Sequence, residues 1–269
     1  MVKVNLVDSN FIGRDLNINP RYFKWETGNI KVSDHVFFTD YQLEKVTRLK
    51  SGQKKVAWLI EPKAIVPEVY TYIESNFNNF DYVLTFDREL LSKIDNGLFC
   101  PYGTYWVDDK VNYTKTKNLS IIASGKNAVI GHKMRHETIH YLGHKMDVYG
   151  RGYNPVQSKN EALDQYYYSI VIENSIQDSY WTEKLLDCFM TKTIPVYWGT
   201  KDVVNFFDKD GIIFFNDINH LESLTKLSQD YVREYYNQHL DAIEKNYELA
   251  KSYKDPEDYI FFNYPHLLT

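Results

Sequence analysis

The chain has 269 residues, with 31 Lys and Arg against 36 Asp and Glu. Its formal net charge of −5 argues against a general nucleic-acid or anionic-membrane binder and leaves room for a local basic pocket. At 43% hydrophobic residues it can bury a core as one large or two modest domains, and no apolar run is long enough to cross a bilayer.

Short β-like runs alternate with helical patterns. In the first part strands are expected at VKVNLV (2–7), HVFFTD (35–40), KKVAWLI (54–60) and YVLTF (82–86), with a helix at PEVYTYIESNF (67–77). The polar stretch VDDKVNYTKTKN (107–118) is the best linker. Beyond it come a strand at LSIIAS (119–124), a helix over about 131–145, and a strand at MDVYG (146–150). A helix at NEALDQY (160–166), a strand at YSIVIEN (168–174) and a helix at WTEKLLDCFMTK (181–192) follow. IPVYWG (194–199) and GIIFF (211–215) read as strands, and 219–253 as helical with a break near Ser228. No internal repeat is evident. Such alternation implies parallel sheets covered on both faces, arranged as two α/β domains, 1–112 and 113–269. Cys100 and Cys188 match no metal or disulfide spacing, which fits a reducing compartment; the chain is expected to be cytoplasmic, or to have been trimmed of an anchor.

In open α/β sheets ligands bind beyond the carboxyl ends of the strands. Four such ends carry reactive or small residues: Glu61, Ser124-Gly125-Lys126, Glu173-Asn174 and Gly199. That pattern favours a nucleotide or sugar-nucleotide site. Thr182 is a plausible helix N-cap, which sets Glu183 and Lys184 in the first turn. A helix start favours anions, so a lysine there is disfavoured unless an anion is bound. The plainer reading of the helix pattern alone is a solvated Glu-Lys pair.

HETIH (136–140) matches the H-E-x-x-H signature of zinc peptidases, with Glu137 as general base. The extended form of that signature would put a third histidine at position 146, which is Met146. His132, His136, His140 and His144 recur every four residues, and positions eight apart lie ~12 Å apart along a helix, too far to share one zinc. Zinc peptidase activity is therefore a minor alternative. Asp208-Lys209-Asp210 and Asp108-Asp109 read as acidic turns, not metal sites.

The segment ENSIQDSYWTEK followed by IPVYWG resembles the donor-binding motif of the family 10 glycosyltransferases, the α-1,3/1,4-fucosyltransferases. KMDVYGRG (145–152) resembles that family's VDVYGR turn, and Arg135 with Leu142 its arginine helix. LTFDREL…FCPYGTY (84–105) resembles its PYG segment, and WLIEP (58–62) stands where it carries Glu-Ser-Pro. The chain departs from that pattern at Pro62-Lys63, at Tyr167 and at Gly125-Lys126-Asn127.

The resemblance implies a GT-B fold, two Rossmann-like domains with parallel sheets facing a central cleft, acceptor on the first and GDP-sugar on the second. It implies inverting transfer of a sugar, with L-fucose from GDP-fucose the expected donor, to a hydroxyl of a glycan acceptor. Glu61 would be the general base, Arg135 and Lys184 would neutralise the departing GDP, and Asn174, Tyr180 and Glu183 would hold donor groups. Ser124 and Lys126 are further phosphate candidates. No metal or other cofactor is expected to be required, and no nucleic-acid partner. Another GDP-sugar, or a degenerate fold that binds sugar nucleotides without turnover, remain alternatives.

Overall fold

The computed structural model describes residues 1–8, 20–27, 33–49, 52–108 and 114–268; the expected domain boundary at 112/113 and Asp109 lie outside them. The chain divides into two units, Met1–Tyr102 with Gln177–Tyr180 and Asp255–Thr269, and Gly103–Ile176 with Trp181–Lys254.

In the first unit strands β1 (Val2–Val7), β2 (Phe23–Glu26), β3 (His35–Thr39), β4 (Lys54–Trp58), β5 (Tyr82–Thr85) and β6 (Gly97–Phe99) form a parallel sheet in the order β2-β1-β3-β4-β5-β6. Successive side chains of a strand face opposite ways, so a run such as HVFFT must find apolar cover on both faces. Val36, Phe38, Ala57 and Val83 pack with Val69, Tyr70 and Ile73 of helix α1 (Pro67–Asn76). Phe37, Val56, Trp58 and Leu84 point the other way and pack with Val4, Leu6, Ile260 and Leu267. A short helix α2 (Arg88–Leu91), capped by Asp87, precedes β6.

The second unit holds β7 (Lys117–Ile122), β8 (Asp147–Tyr149), β9 (Tyr166–Ile172), β10 (Ile194–Trp198) and β11 (Ile213–Phe214), parallel in the order β11-β10-β9-β7-β8. Its helices are α3 (Ile130–Leu142), α4 (Asn160–Leu163), α5 (Glu183–Met190), α6 (Ile218–Thr225), α7 (Gln229–Gln238) and α8 (Leu240–Lys251). All seven residues of the central β9 are buried. Val171 and Tyr197 face Leu185, Leu186 and Phe189 of α5, whereas Ile170, Ile172 and Val196 face Leu142, Leu221 and Val232. The chain then rejoins the first unit through α9 (Pro256–Asn263).

Several elements differ from expectation. β2, β6 and α2 are three or four residues long, too short to show a period. The helix expected at 160–166 stops at Leu163, because the aromatic run from Tyr166 is claimed by β9. The region 219–253 breaks at Ser228, which caps α7, and again at His239. No Gly or Pro marks that second break; the imidazole stacks on Tyr235 at 4.0 Å and its Nδ1 bonds the Tyr235 carbonyl at 2.7 Å. The C-terminal helices were expected with the second domain, yet Asp255–Thr269 joins the first unit.

Candidate active site

In the second unit the apolar run of β9 delivers Glu173 into full burial. An isolated carboxylate there is costly, and Thr182 satisfies it, donating its backbone N–H at 2.9 Å and its hydroxyl at 2.8 Å. Thr182 is the N-cap of α5, and its hydroxyl oxygen accepts from the Lys184 backbone N–H at 3.4 Å. The Lys184 ammonium lies 3.0 Å from that hydroxyl, 3.1 Å from Glu183 and 3.6 Å from Glu173. With side-chain exposures of 23% for Lys184 and 17% for Glu183, this is not a solvated surface pair. Burial raises the Glu173 carboxyl above the usual range, against the opposing charge of Lys184. Burial also pushes Glu183 upward, but Lys184 and Lys159 outweigh it and bring that carboxyl down to about 2. Burial lowers Lys184, and the two glutamates reverse this, so the lysine stays charged.

Helix α3 meets the same strand end. Gly131 donates its N–H to the Asn174 carbonyl at 3.0 Å, and a Cβ at Gly131 would fall 1.8 Å from the Glu173 carbonyl oxygen. Glycine is what lets the helix start lie against the backbone here. One turn on, Arg135 is buried and donates Nη2 to Asn174 Oδ1 at 2.7 Å. His132 accepts the Ala128 N–H on Nδ1 at 3.2 Å. Burial, followed by the charges of Arg135, Lys126 and Lys184, pushes His132 down to about 4. Three cations thus act on one neutral imidazole, and of these Lys184 is paired with Glu173 and Glu183.

The loop after β7 is built by Ser124, whose hydroxyl accepts the Lys126 N–H at 3.4 Å. Beside it Gly150, at φ +111°, leaves no room for a side chain: a Cβ would meet the Ala123 carbonyl oxygen at 2.0 Å. His136 of the HETIH stretch has both ring nitrogens engaged, Nδ1 with the Tyr153 hydroxyl at 2.5 Å and Nε2 with the Lys126 carbonyl at 2.9 Å. His140 and His144 are exposed. Among the described residues no group of three His, Cys, Asp or Glu is arranged to hold a metal ion. Asp208 caps a helical turn, accepting from Asp210 N–H at 3.1 Å and from the Lys245 ammonium at 2.9 Å, in keeping with an acidic turn.

Two predicted residues belong to the first unit. Glu61 is half-buried beyond β4; its backbone N–H donates to Asp40 at 3.3 Å and its carbonyl accepts from the Tyr70 hydroxyl at 3.3 Å. Asp40 is buried at φ +31° and also accepts the Ile60 N–H at 2.9 Å, so one carboxylate clamps the loop that carries Glu61. Gln177 accepts the Lys63 N–H at 3.0 Å and donates to Asp87 at 2.7 Å. Tyr180 is buried with its ring 5.3 Å from Phe86.

The structure therefore brings together Arg135, Asn174, Glu183 and Lys184, with Lys126 acting on the same imidazole, while Ser124 engages its own loop. The sequence marks Glu173 as a strand-end residue but not as the anchor of Thr182 and Lys184, and it gives His132, Gly131 and Asp40 no part in these sites. The sequence holds a sign of the first: an acid closing a largely apolar strand and followed by a Thr-capped helix.

The family model described as Glycosyltransferase family 10 (fucosyltransferase) C-term matches residues 113–260. The alpha-(1,3)-fucosyltransferase FucT of Helicobacter pylori is 33% identical over 95 residues, which cover 35% of this chain and 20% of that relative. The match thus spans about a fifth of the relative's length. A crystal structure of an alpha1,3-fucosyltransferase superposes with a TM-score of 0.59 at 23% identity, covering 91% of this chain and 81% of the other. One with GDP gives 0.59 at 20% identity, over 100% and 90%. Both likenesses fit the two parallel Rossmann-like sheets and show the GT-B fold. No helix among the described residues is long and apolar enough to cross a membrane. The chain belongs to glycosyltransferase family 10, the fucosyltransferases.

Proposed function

We propose that the protein transfers L-fucose from GDP-fucose to a hydroxyl of a galactose- or N-acetylglucosamine-containing glycan, with inversion at the anomeric carbon. The observation that carries this reading is the Arg135, Asn174 and Lys184 cluster at the end of β9. The names of the relatives, among them a structure described as an alpha1,3-fucosyltransferase with GDP-fucose, support the choice of donor.

Glu61 takes the proton from the acceptor hydroxyl, whose oxygen attacks the anomeric carbon as the bond to GDP breaks. GDP departs with the electron pair, and Arg135 and Lys184 neutralise the charge that builds on its diphosphate. Asn174 holds the guanidinium in place, and Tyr180 and Glu183 contribute to donor recognition. Supplied by side chains, this charge leaves the reaction independent of a divalent metal, so EDTA leaves turnover and GDP binding unchanged.

The test is GDP release from GDP-fucose with a mixed glycan acceptor. Glu61→Ala should abolish turnover and spare GDP affinity; full activity in that variant removes Glu61 from the mechanism. GDP binding with no turnover on any acceptor would favour a binding module, and turnover with a different GDP-sugar would move the donor assignment.

A further inference from the structure

Neither the family resemblance nor the transfer reaction uses HETIH, yet the structure gives His136 a defined task. A helical histidine facing solvent leaves its ring nitrogens to water. Here Nε2 faces the Lys126 carbonyl at 2.9 Å and Nδ1 faces the Tyr153 hydroxyl at 2.5 Å. A carbonyl oxygen only accepts, so Nε2 carries the hydrogen and Nδ1 accepts from the tyrosine; the two neighbours fix the tautomer. One imidazole on α3 therefore binds the loop beyond β7 and the turn beyond β8.

Both partners stand on constrained backbone. The Lys126 loop is braced by Ser124. Tyr153 follows Gly150 and Gly152, at φ +111° and +95°, and donates its N–H to the Gly150 carbonyl at 3.0 Å. Gly152 in turn would place a Cβ 3.8 Å from Gly125, next to Lys126. His136 follows Arg135 directly, so the helix residue that presents the guanidinium and the one that anchors the Lys126 loop move as one body.

We propose that His136 is a positioning residue: through its two ring nitrogens it holds the Ser124–Lys126 loop against α3, so that Lys126 and Arg135 act on one anionic group, the diphosphate of the donor. The identity of that group rests on the function proposed above; the clip itself does not.

Two readouts test the inference. Amide hydrogen exchange without nucleotide reports the clip: His136→Ala should speed exchange across residues 123–129 and leave the α5 amides as they are. Calorimetric GDP affinity reports its use: His136→Ala should weaken GDP about fivefold, and that loss should vanish in a Lys126→Ala background, as for residues that share one network. Tyr153→Phe, a mild change that keeps the fold, should reproduce part of both effects. Unchanged exchange at 123–129 in both variants overturns the clip, and a GDP loss of equal size with or without Lys126 overturns the positioning role. If the wild-type protein binds no GDP, the diphosphate assignment and the proposed function fall together, whereas intact GDP binding with unchanged exchange removes this inference alone.

Discussion

Asn174 anchors Arg135 twice over: its side-chain oxygen accepts from the guanidinium at 2.7 Å, and its carbonyl accepts from Gly131, four residues earlier on the same helix, at 3.0 Å. The end of β9 thereby fixes both the position of α3 and the direction of its buried arginine. Asn174→Ala removes the side-chain half and leaves a guanidinium hydrogen without its acceptor, at ~1–3 kcal/mol. Thermal unfolding should register that loss, and GDP affinity should fall with it. An unchanged melting temperature together with unchanged affinity would show that the bond does not govern Arg135.

Lys184 stands between the buried Glu173 and the partly buried Glu183, so its removal carries a penalty separate from ligand binding. Lys184→Met takes from Glu173 and Glu183 the ammonium that lies between them and leaves Glu183 only the charge of Lys159, a loss of ~3 kcal/mol at neutral pH. Acid should narrow the gap from wild type, as the abandoned carboxylates take up protons. Adding Glu173→Gln should restore much of the stability and none of the GDP affinity. Recovery of both would assign Lys184 to the fold alone.

Gly131→Ala places a methyl group on the Glu173 carbonyl, at a distance no packing tolerates. The start of α3 must retreat, at ~2–3 kcal/mol. Arg135 moves with the helix, so both stability in urea and GDP affinity should drop. A normal denaturation midpoint would show that α3 can shift freely.

Glu257 gives the fold a pH dependence unrelated to the donor site. It is buried, with one oxygen accepting from Trp25 Nε1 at 2.9 Å, and burial pushes its carboxyl from 4.5 to about 7. Asp255 and Asp258 on its own segment add to the rise, and Arg21 pairs with both of these aspartates. The folded protein thus holds a proton that the unfolded chain releases at lower pH. The sign follows: stability is fullest below pH 4.5, declines through the window up to about 7, and stays lower by ~3 kcal/mol above it. Glu257→Gln should remove that slope and raise the melting temperature at pH 8. A parallel slope in the variant would place its origin elsewhere.

Much of this architecture could be read from the sequence, for a physical reason. β3, β9 and β10 are buried along their whole length and β4 over Val56-Ala57-Trp58, and largely apolar runs are what fill such strands. Thr182 was legible as a cap because capping is a local interaction. Contacts between distant segments were not legible. Glu173 is a structural anchor only because Thr182, nine residues on, turns back to it. Asp40 clamps the Glu61 loop across twenty residues of chain, and nothing in FTDYQ marks its φ of +31°. The short β2 and β6 owe their existence to neighbours in the sheet. HETIH shows the same limit: the pattern records spacing along a helix, whereas the contacts of His136 depend on two loops that approach it from elsewhere.

The return of Asp255–Thr269 to the first unit also bears on how the chain matures. Ile260, Leu267 and Leu268 complete the apolar layer over Val4, Phe37 and Trp58, and Glu257 and Asp258 meet Trp25 and Arg21. During vectorial synthesis a leading domain ordinarily closes before the one behind it emerges. Here the sheet that holds Phe37 and Trp58 takes part of its cover from residues more than two hundred positions further along the chain, so that side of it cannot close while Gly103–Ile176 and Trp181–Lys254 are still being made. A variant cut before Asp255 should expose Phe37 and Trp58.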